Sequence, residues 1–110
     1  MYTVIKTVEI SGAHFLNLPY SSKCTKTHGH NWIIEVTCQS KKLDENGMVT
    51  DFSRIKEIIN RLDHTFLNEI LPEFNPTAEN IAQWLCGQVP RCVRVKIQES
   101  EGNVAIYESD

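Results

Sequence analysis

Several features are missing from the 110-residue sequence, and each absence excludes a class of protein. No apolar run approaches the roughly 20 residues that a membrane-spanning helix needs. Lysine and arginine (11) do not outnumber aspartate and glutamate (14), so no basic surface for nucleic acid is expected. Residues 1–10 alternate between polar and apolar and do not resemble a secretory signal. We therefore expect one cytoplasmic domain over residues 1–110.

The sequence has four cysteines but no C-x-x-C pair, which argues against a four-cysteine zinc site. Without a secretory signal they are expected to be reduced thiols. Cys24 lies in the polar stretch 21–27, between Lys23 and Lys26, where nearby ammonium groups would favour its thiolate. The remaining three lie in apolar or regular segments and are expected to be packing residues: Cys38, Cys86 and Cys92.

The hydrophobic pattern changes period along the chain and predicts an α+β domain. Strict alternation predicts strands, and apolar residues at helical spacing predict helices, the second capped by Asn75 or Thr77 and stopped by Pro90. The predicted strands span 2–14, 28–40, 92–99 and 104–107, and the helices span 52–62 and 77–89. The order β-β-α-α-β-β favours an antiparallel sheet with both helices on one face.

A four-stranded sheet of this size leaves both of its edge strands without partners. Pairing between the edges of neighbouring subunits would remove these exposed edges and produce a larger barrel. We therefore expect an oligomer.

Three histidines are predicted to converge on one face of the sheet. His28 and His30 are two residues apart on a strand, so their side chains point the same way. His14 ends the preceding strand on its apolar side, and antiparallel pairing would bring it close to the other two. Three neutral imidazoles with an open fourth position are typical of catalytic zinc. Alternatively, Cys24 is the fourth ligand and closes a structural site.

Other polar residues are weaker candidates. The Asp63-His64 pair is either a carboxylate-oriented base or an acid and a cation at a helix end. Glu99 continues the apolar side of a strand, so it either accepts hydrogen bonds from a ligand or lies where the strand reaches solvent. Residues 77–80, which include Thr77, read as a helix start whose free N–H groups can also meet a ligand.

A set of motifs in fixed order resembles the 6-pyruvoyl-tetrahydropterin synthase superfamily. The motifs are Ser11-Gly12-Ala13-His14-Phe15, Cys24-x-x-x-His28-Gly29-His30-Asn31, Gly47-Met48-Val49-x-Asp51-Phe52, Leu62-Asp63-His64-x-x-Leu67-Asn68, Asn75-Pro76-Thr77-x-Glu79-Asn80 and the late Glu99. The short spacing from Cys24 to the His-Gly-His pair is most similar to the bacterial 6-carboxy-5,6,7,8-tetrahydropterin synthases of queuosine biosynthesis. Ser100 departs from the family, which usually has threonine there.

The resemblance implies a role for each candidate residue. Three residues would bind zinc: His14, His28 and His30. Cys24 would be the catalytic base, assisted by Asp63 and His64, which in this family reach a neighbouring subunit's site. Glu99 would anchor the aminopyrimidine nitrogens of a pterin, with Thr77 nearby. The implied fold is the tunnelling fold, in which trimers close a barrel and two trimers stack into a homohexamer.

The implied activity is that of a zinc-dependent lyase. It would convert 7,8-dihydroneopterin triphosphate to 6-carboxy-5,6,7,8-tetrahydropterin and release acetaldehyde and triphosphate. One alternative is 6-pyruvoyl-tetrahydropterin synthesis, in which the two-carbon unit stays on the pterin. Another is cleavage of dihydroneopterin, although that type usually has a glutamate near the position of Cys24. A third alternative, from another class, is a non-catalytic domain stabilised by zinc.

Overall fold

The long strands follow the alternation of polar and apolar residues in the sequence, and the long helices follow the helical spacing of its apolar residues. A computed structural model describes residues 1–110. The strands are β1 (Tyr2–His14), β2 (His28–Ser40), β3 (Thr65–Phe66), β4 (Cys92–Ser100) and β5 (Asn103–Glu108). The helices are a 3-10 turn (Lys23–Thr25), α1 (Phe52–Asn60), α2 (Leu67–Ile70) and α3 (Ala78–Gln88). None of them combines the length and apolar character required to cross a bilayer.

The predicted α+β class is confirmed, and the long elements occur in the predicted order. The sheet has five strands rather than four, in the order β3-β1-β2-β4-β5. The additional strand β3 pairs in parallel with Gly12 and Ala13 of β1, whereas all other pairs are antiparallel. Two residues are too few to show an alternating pattern, which is why the sequence did not predict β3.

The hydrophobic core lies between one face of the sheet and the helices. It contains 20 buried residues, with α1 packed on β1 and α3 packed on β4 and β5. Asp51 caps α1 by accepting a hydrogen bond from the Ser53 N–H, and the helix ends at Asn60, two residues earlier than predicted. The three cysteines expected to be packing residues are in or against this core: Cys38, Cys86 and Cys92.

The opposite face of the sheet and both of its edges have no partner within the chain. β5 forms one edge, and β1 with the short β3 forms the other. Apolar side chains on the uncovered face are exposed, among them Ile5, Ile33 and Ile106. The fold therefore places the residues around His14 and His28 at one end of a half-covered sheet.

Candidate metal centre and active site

The register between β1 and β2 brings the three histidines together. His14 is directly opposite His28 in the antiparallel ladder, and His30 follows two residues later on the same face of β2. The ring centroids are 4.6 Å apart for His14 and His28, 4.7 Å for His28 and His30, and 5.3 Å for His14 and His30. One nitrogen from each ring lies within 4.8 Å of the others. The three side chains could therefore hold one metal ion.

Backbone carbonyls determine the tautomer of two of these rings. Nδ1 of His14 lies 2.8 Å from the carbonyl oxygen of Pro76, and Nδ1 of His28 lies 2.7 Å from that of Lys26. A carbonyl oxygen only accepts hydrogen bonds, so each Nδ1 must carry a proton and donate it. The Nε2 lone pairs of the neutral rings are then free to bind a metal. Histidines that bind metals usually donate their other ring N–H in this way, to a carbonyl or carboxylate oxygen.

Burial favours the uncharged form of His14 and His30. Removal of water from the rings is the largest effect on both, and it lowers the pKa of His14 and of His30 below the ordinary histidine value. Nε2 of each ring is buried and has no hydrogen-bond partner. Buried nitrogens without partners are rare because they are costly. A metal ion at this position would satisfy both, so the donor set fits a metal.

Cys24 does not belong to the group of atoms that could share an ion, which comprises the three histidines alone. It lies instead in the wall of an adjoining cavity of about 410 Å³, together with His28, His30 and Glu99. Ligand-binding clefts typically measure roughly 300–1,000 Å³. The structure thus brings Cys24 and the metal-binding candidates to one cavity, and no cysteine completes the ligand group.

Glu99 faces this site rather than open solvent. Its Oε1 lies 3.3 Å from Nε2 of His30, although the geometry is not that of a hydrogen bond. Its side chain is 24% exposed and also lines a second cavity beside Ala78 and Glu79 at the start of α3. The carboxylate is therefore available to a ligand that enters between α3 and the β4–β5 hairpin.

Asp63 and His64 lie apart from this cavity. His64 is 82% exposed and lines a different cleft with Ser11 and Asn31, whose side chains project from the face of the sheet opposite to the histidine cluster. This cleft and the Cys24 cavity share His30 in their walls. Asp63 accepts a hydrogen bond from the Ser11 N–H at 2.8 Å and lies 3.0 Å from Nδ1 of His64. Within one chain, the structure does not bring this pair to Cys24.

Thr77 is the N-cap of α3, one of the two candidates named from the sequence. Its hydroxyl oxygen accepts a hydrogen bond from the Asn80 N–H at 3.1 Å. It follows Pro76, the carbonyl partner of His14. The partner carbonyls of Pro76 and Lys26 were not predicted, because a backbone oxygen is present at every position and only the tertiary fold selects one.

Fold and site together define an α+β protein in which three histidines at one end of a sheet could hold a metal ion beside a ligand-sized cavity. The sequence matches the family described as 6-pyruvoyl tetrahydropterin synthase over residues 3–110. The chain belongs to this family, as its motifs predicted.

Individual relatives agree with this assignment. The chain is 28% identical to a 6-carboxy-5,6,7,8-tetrahydropterin synthase of Bacillus subtilis, covering 93% of this chain and 82% of that protein. It is 39% identical to a putative 6-carboxy-5,6,7,8-tetrahydropterin synthase of Archaeoglobus fulgidus, covering 86% and 85%. The structure of Caenorhabditis elegans 6-pyruvoyl tetrahydropterin synthase superposes with a TM-score of 0.77 at 24% identity, covering 99% and 96%. The last comparison confirms the predicted fold, and the relatives are pterin synthases.

Proposed function

We propose that the protein is a zinc-dependent lyase that converts 7,8-dihydroneopterin triphosphate to 6-carboxy-5,6,7,8-tetrahydropterin in the queuosine pathway. The observation that carries the proposal is the pair of buried, unpartnered Nε2 atoms of His14 and His30 beside the cavity that contains Cys24. The names of the Bacillus and Archaeoglobus relatives favour the carboxy product.

Zinc would be held by the three histidines of the cluster. Neutral imidazoles are preferred zinc ligands, and three of them leave a fourth position for substrate. A zinc ion there supplies Lewis acidity, which polarises a coordinated hydroxyl and acidifies the neighbouring C–H and O–H bonds. Cys24 lies outside the ligand group, which favours an open, catalytic site over a closed, structural one.

Cys24 would act as the base and Glu99 as the pterin anchor. The Cys24 thiolate removes a proton from the substrate side chain where that chain extends toward His28 and His30. The Glu99 carboxylate accepts hydrogen bonds from the aminopyrimidine N–H groups, which fixes the ring. Thr77 would contribute by holding the start of α3 beside Glu99. A thiol base must stay reduced, which favours the cytoplasm.

The proposed reaction balances with one water molecule. The bond between C3′ and the triphosphate oxygen breaks, cleavage of the C1′–C2′ bond releases acetaldehyde, and the water oxygen enters the carboxylate, with oxidation and reduction confined to the substrate. No external electron carrier is needed. The pyruvoyl reaction eliminates triphosphate without water and keeps all side-chain carbons, so acetaldehyde distinguishes the two reactions.

Incubation of the purified protein with zinc and dihydroneopterin triphosphate tests the proposal. We expect acetaldehyde, triphosphate and 6-carboxytetrahydropterin in equal amounts. Pyruvoyltetrahydropterin without acetaldehyde would show the alternative synthase activity. Bound zinc with no turnover would instead favour a binding domain.

Two variants test the residue roles in the same assay. Cys24→Ala should keep its zinc and lose turnover, whereas Cys92→Ala, a cysteine outside the cavity, should keep both. His28→Ala should lose zinc as measured by metal analysis, whereas His64→Ala should retain it. Unchanged turnover in Cys24→Ala would show that Cys24 is not the base, and full zinc occupancy in His28→Ala would reject that ligand.

A further inference from the structure

Two asparagine side chains bind the backbone immediately after His14, where β1 has ended. Oδ1 of Asn68 accepts a hydrogen bond from the Phe15 N–H at 2.9 Å, and its Nδ2 donates to the Phe15 carbonyl at 3.0 Å. Oδ1 of Asn75 accepts from the Asn17 N–H at 2.9 Å, and its Nδ2 donates to the Asn17 carbonyl at 3.3 Å. Each side-chain amide thus forms with one residue the two hydrogen bonds that a neighbouring strand would otherwise form.

Leu16, the residue between Phe15 and Asn17, forms its hydrogen bond in the opposite direction. The Leu16 N–H donates to the carbonyl oxygen of Cys24 at 2.7 Å. Residues 15–17 therefore bond alternately to two sides, as a strand does, although they belong to no strand. One side of this segment is held by the asparagines, and the other side holds Cys24. The segment joins the metal-ligand candidate His14 to the backbone of Cys24.

Asn75 is also next in sequence to the hydrogen-bond partner of His14. Asn75 precedes Pro76, whose carbonyl oxygen accepts the proton of His14 Nδ1. The Asn75 carbonyl oxygen in turn accepts a hydrogen bond from Asn80 Nδ2 at 2.9 Å, which ties it to α3. A shift of Asn75 would move the Pro76 carbonyl and thereby rotate the His14 ring.

We propose that Asn68 and Asn75 are positioning residues for the metal centre and for Cys24. They form a two-amide clamp, defined here as their four hydrogen bonds to Phe15 and Asn17. The clamp holds the His14 ring against the Pro76 carbonyl and fixes the Cys24 segment at the same time. The inference rests on the proposed metal centre, although it does not depend on which reaction follows.

Titration of the metal-free protein with Co²⁺, followed by its visible absorption and by competition with a chelator, tests the clamp. The loss of a group that hydrogen-bonds a metal ligand directly weakens metal binding by roughly 10- to 100-fold. Asn68 acts on His14 through the Phe15 backbone, so we expect Asn68→Ala to weaken Co²⁺ binding by about tenfold, the lower end of that range. Asn68→Asp, which keeps the acceptor for the Phe15 N–H, should recover part of this loss. Asn60→Ala, an exposed asparagine at the end of α1, should bind as the parent does.

A purely structural role gives a different result. In that case the metal-free variants melt at a lower temperature, but the folded variants bind Co²⁺ with the affinity of the parent, which would overturn the proposal. If Asn68→Ala does not fold, Asn75→Ala provides the same test, because its lost bonds are exposed. Turnover in the parent with unchanged Co²⁺ affinity in the folded variants rejects the clamp alone. Co²⁺ binding that depends on the clamp, without pterin turnover, rejects the proposed reaction alone.

Discussion

At the scale of single residues, Ser11 is held from both sides by Asp63 and His64, the pair to which the family resemblance gives a catalytic role. The Ser11 N–H donates to the Asp63 carboxylate at 2.8 Å, and the His64 N–H donates to the Ser11 carbonyl at 2.6 Å. His64 adopts a left-handed backbone conformation with φ of 55°, which is uncommon outside glycine. These hydrogen bonds fix the backbone at residues 63 and 64, and the exposed side chain of His64 extends from it. Asp63 therefore stabilises β1 in addition to any catalytic role.

The structural role of Asp63 predicts a pH-dependent loss of stability in Asp63→Ala. The Ser11 N–H is the largest influence on this carboxyl group and, with His64, lowers its pKa below 3.8. A lowered pKa in the folded state stabilises the protein above pH 3.8 and ceases to do so as the pH falls through the folded value. Asp63→Ala should therefore be less stable than the parent at pH 7, and the difference should shrink below pH 3.8.

Urea unfolding at pH 7, 5 and 3 measures this difference. Asp110→Ala removes an exposed carboxylate near the end of the chain and serves as the control, with no expected pH-dependent change. A difference between parent and Asp63→Ala that is the same at pH 7 and pH 3 would contradict the role assigned to the charge.

The metal-ligand candidates could be predicted from the sequence, but their supporting residues could not. Spacing of two on a strand places His28 and His30 on one face wherever the strand lies. The partners of these rings are distant backbone atoms, such as the Pro76 carbonyl, 62 residues from His14. Asn68 and Asn75 were present in the motifs, yet an asparagine in a loop gives no sign of which backbone it will bind.

At the scale of elements, the long strands and helices were predictable because each buries one face. Burial alternates along β1 and β2, and that alternation is already present in the residue types. The segment from Thr65 to Ile70, which contains β3 and α2, was not predicted. Both elements are too short to repeat the pattern that would reveal them, and both contact β1.

The N-cap of α3 predicts the effect of a change at Thr77. Thr77→Ala leaves the Asn80 N–H without its partner at the start of the helix. We expect a loss of about 1 kcal/mol in the free energy of unfolding, measured with urea. Thr77→Ser keeps the hydroxyl oxygen and should unfold within a few tenths of a kcal/mol of the parent. Equal losses in both variants would indicate that the methyl group, and not the cap, is responsible.

At the scale of the whole molecule, the candidate residues are divided between two sides of the sheet. Cys24 and Glu99 line one cavity, whereas His64 is exposed on the other side of β1 and β2. The sheet has unpaired edges at β5 and β1, which are suited to pair with each other in a closed ring. We propose that the protein forms the homohexamer implied by the family resemblance, and that this assembly places His64 of one subunit at the Cys24 cavity of the next.

A shared site predicts complementation between two inactive variants. Cys24→Ala and His64→Ala each remove one half of the proposed site. Random mixing of equal amounts pairs an intact Cys24 with an intact neighbouring His64 in about one quarter of the sites of a symmetric ring. We expect the two variants, unfolded and refolded together, to recover turnover to that extent, whereas each refolded alone remains inactive. No recovery in mixed hexamers would place both residues of each working site in the same subunit.

The location of the core has a further consequence for behaviour in dilute solution. The 20 core residues form a core within a single chain, whereas the edges and the uncovered face of the sheet are left for association. In the proposed homohexamer, mass action then acts on the assembly and not on the fold of the subunit. Specific activity should fall as the protein is diluted, while its far-ultraviolet circular dichroism stays constant. The concentration of half-maximal activity would report the strength of the contacts between edges.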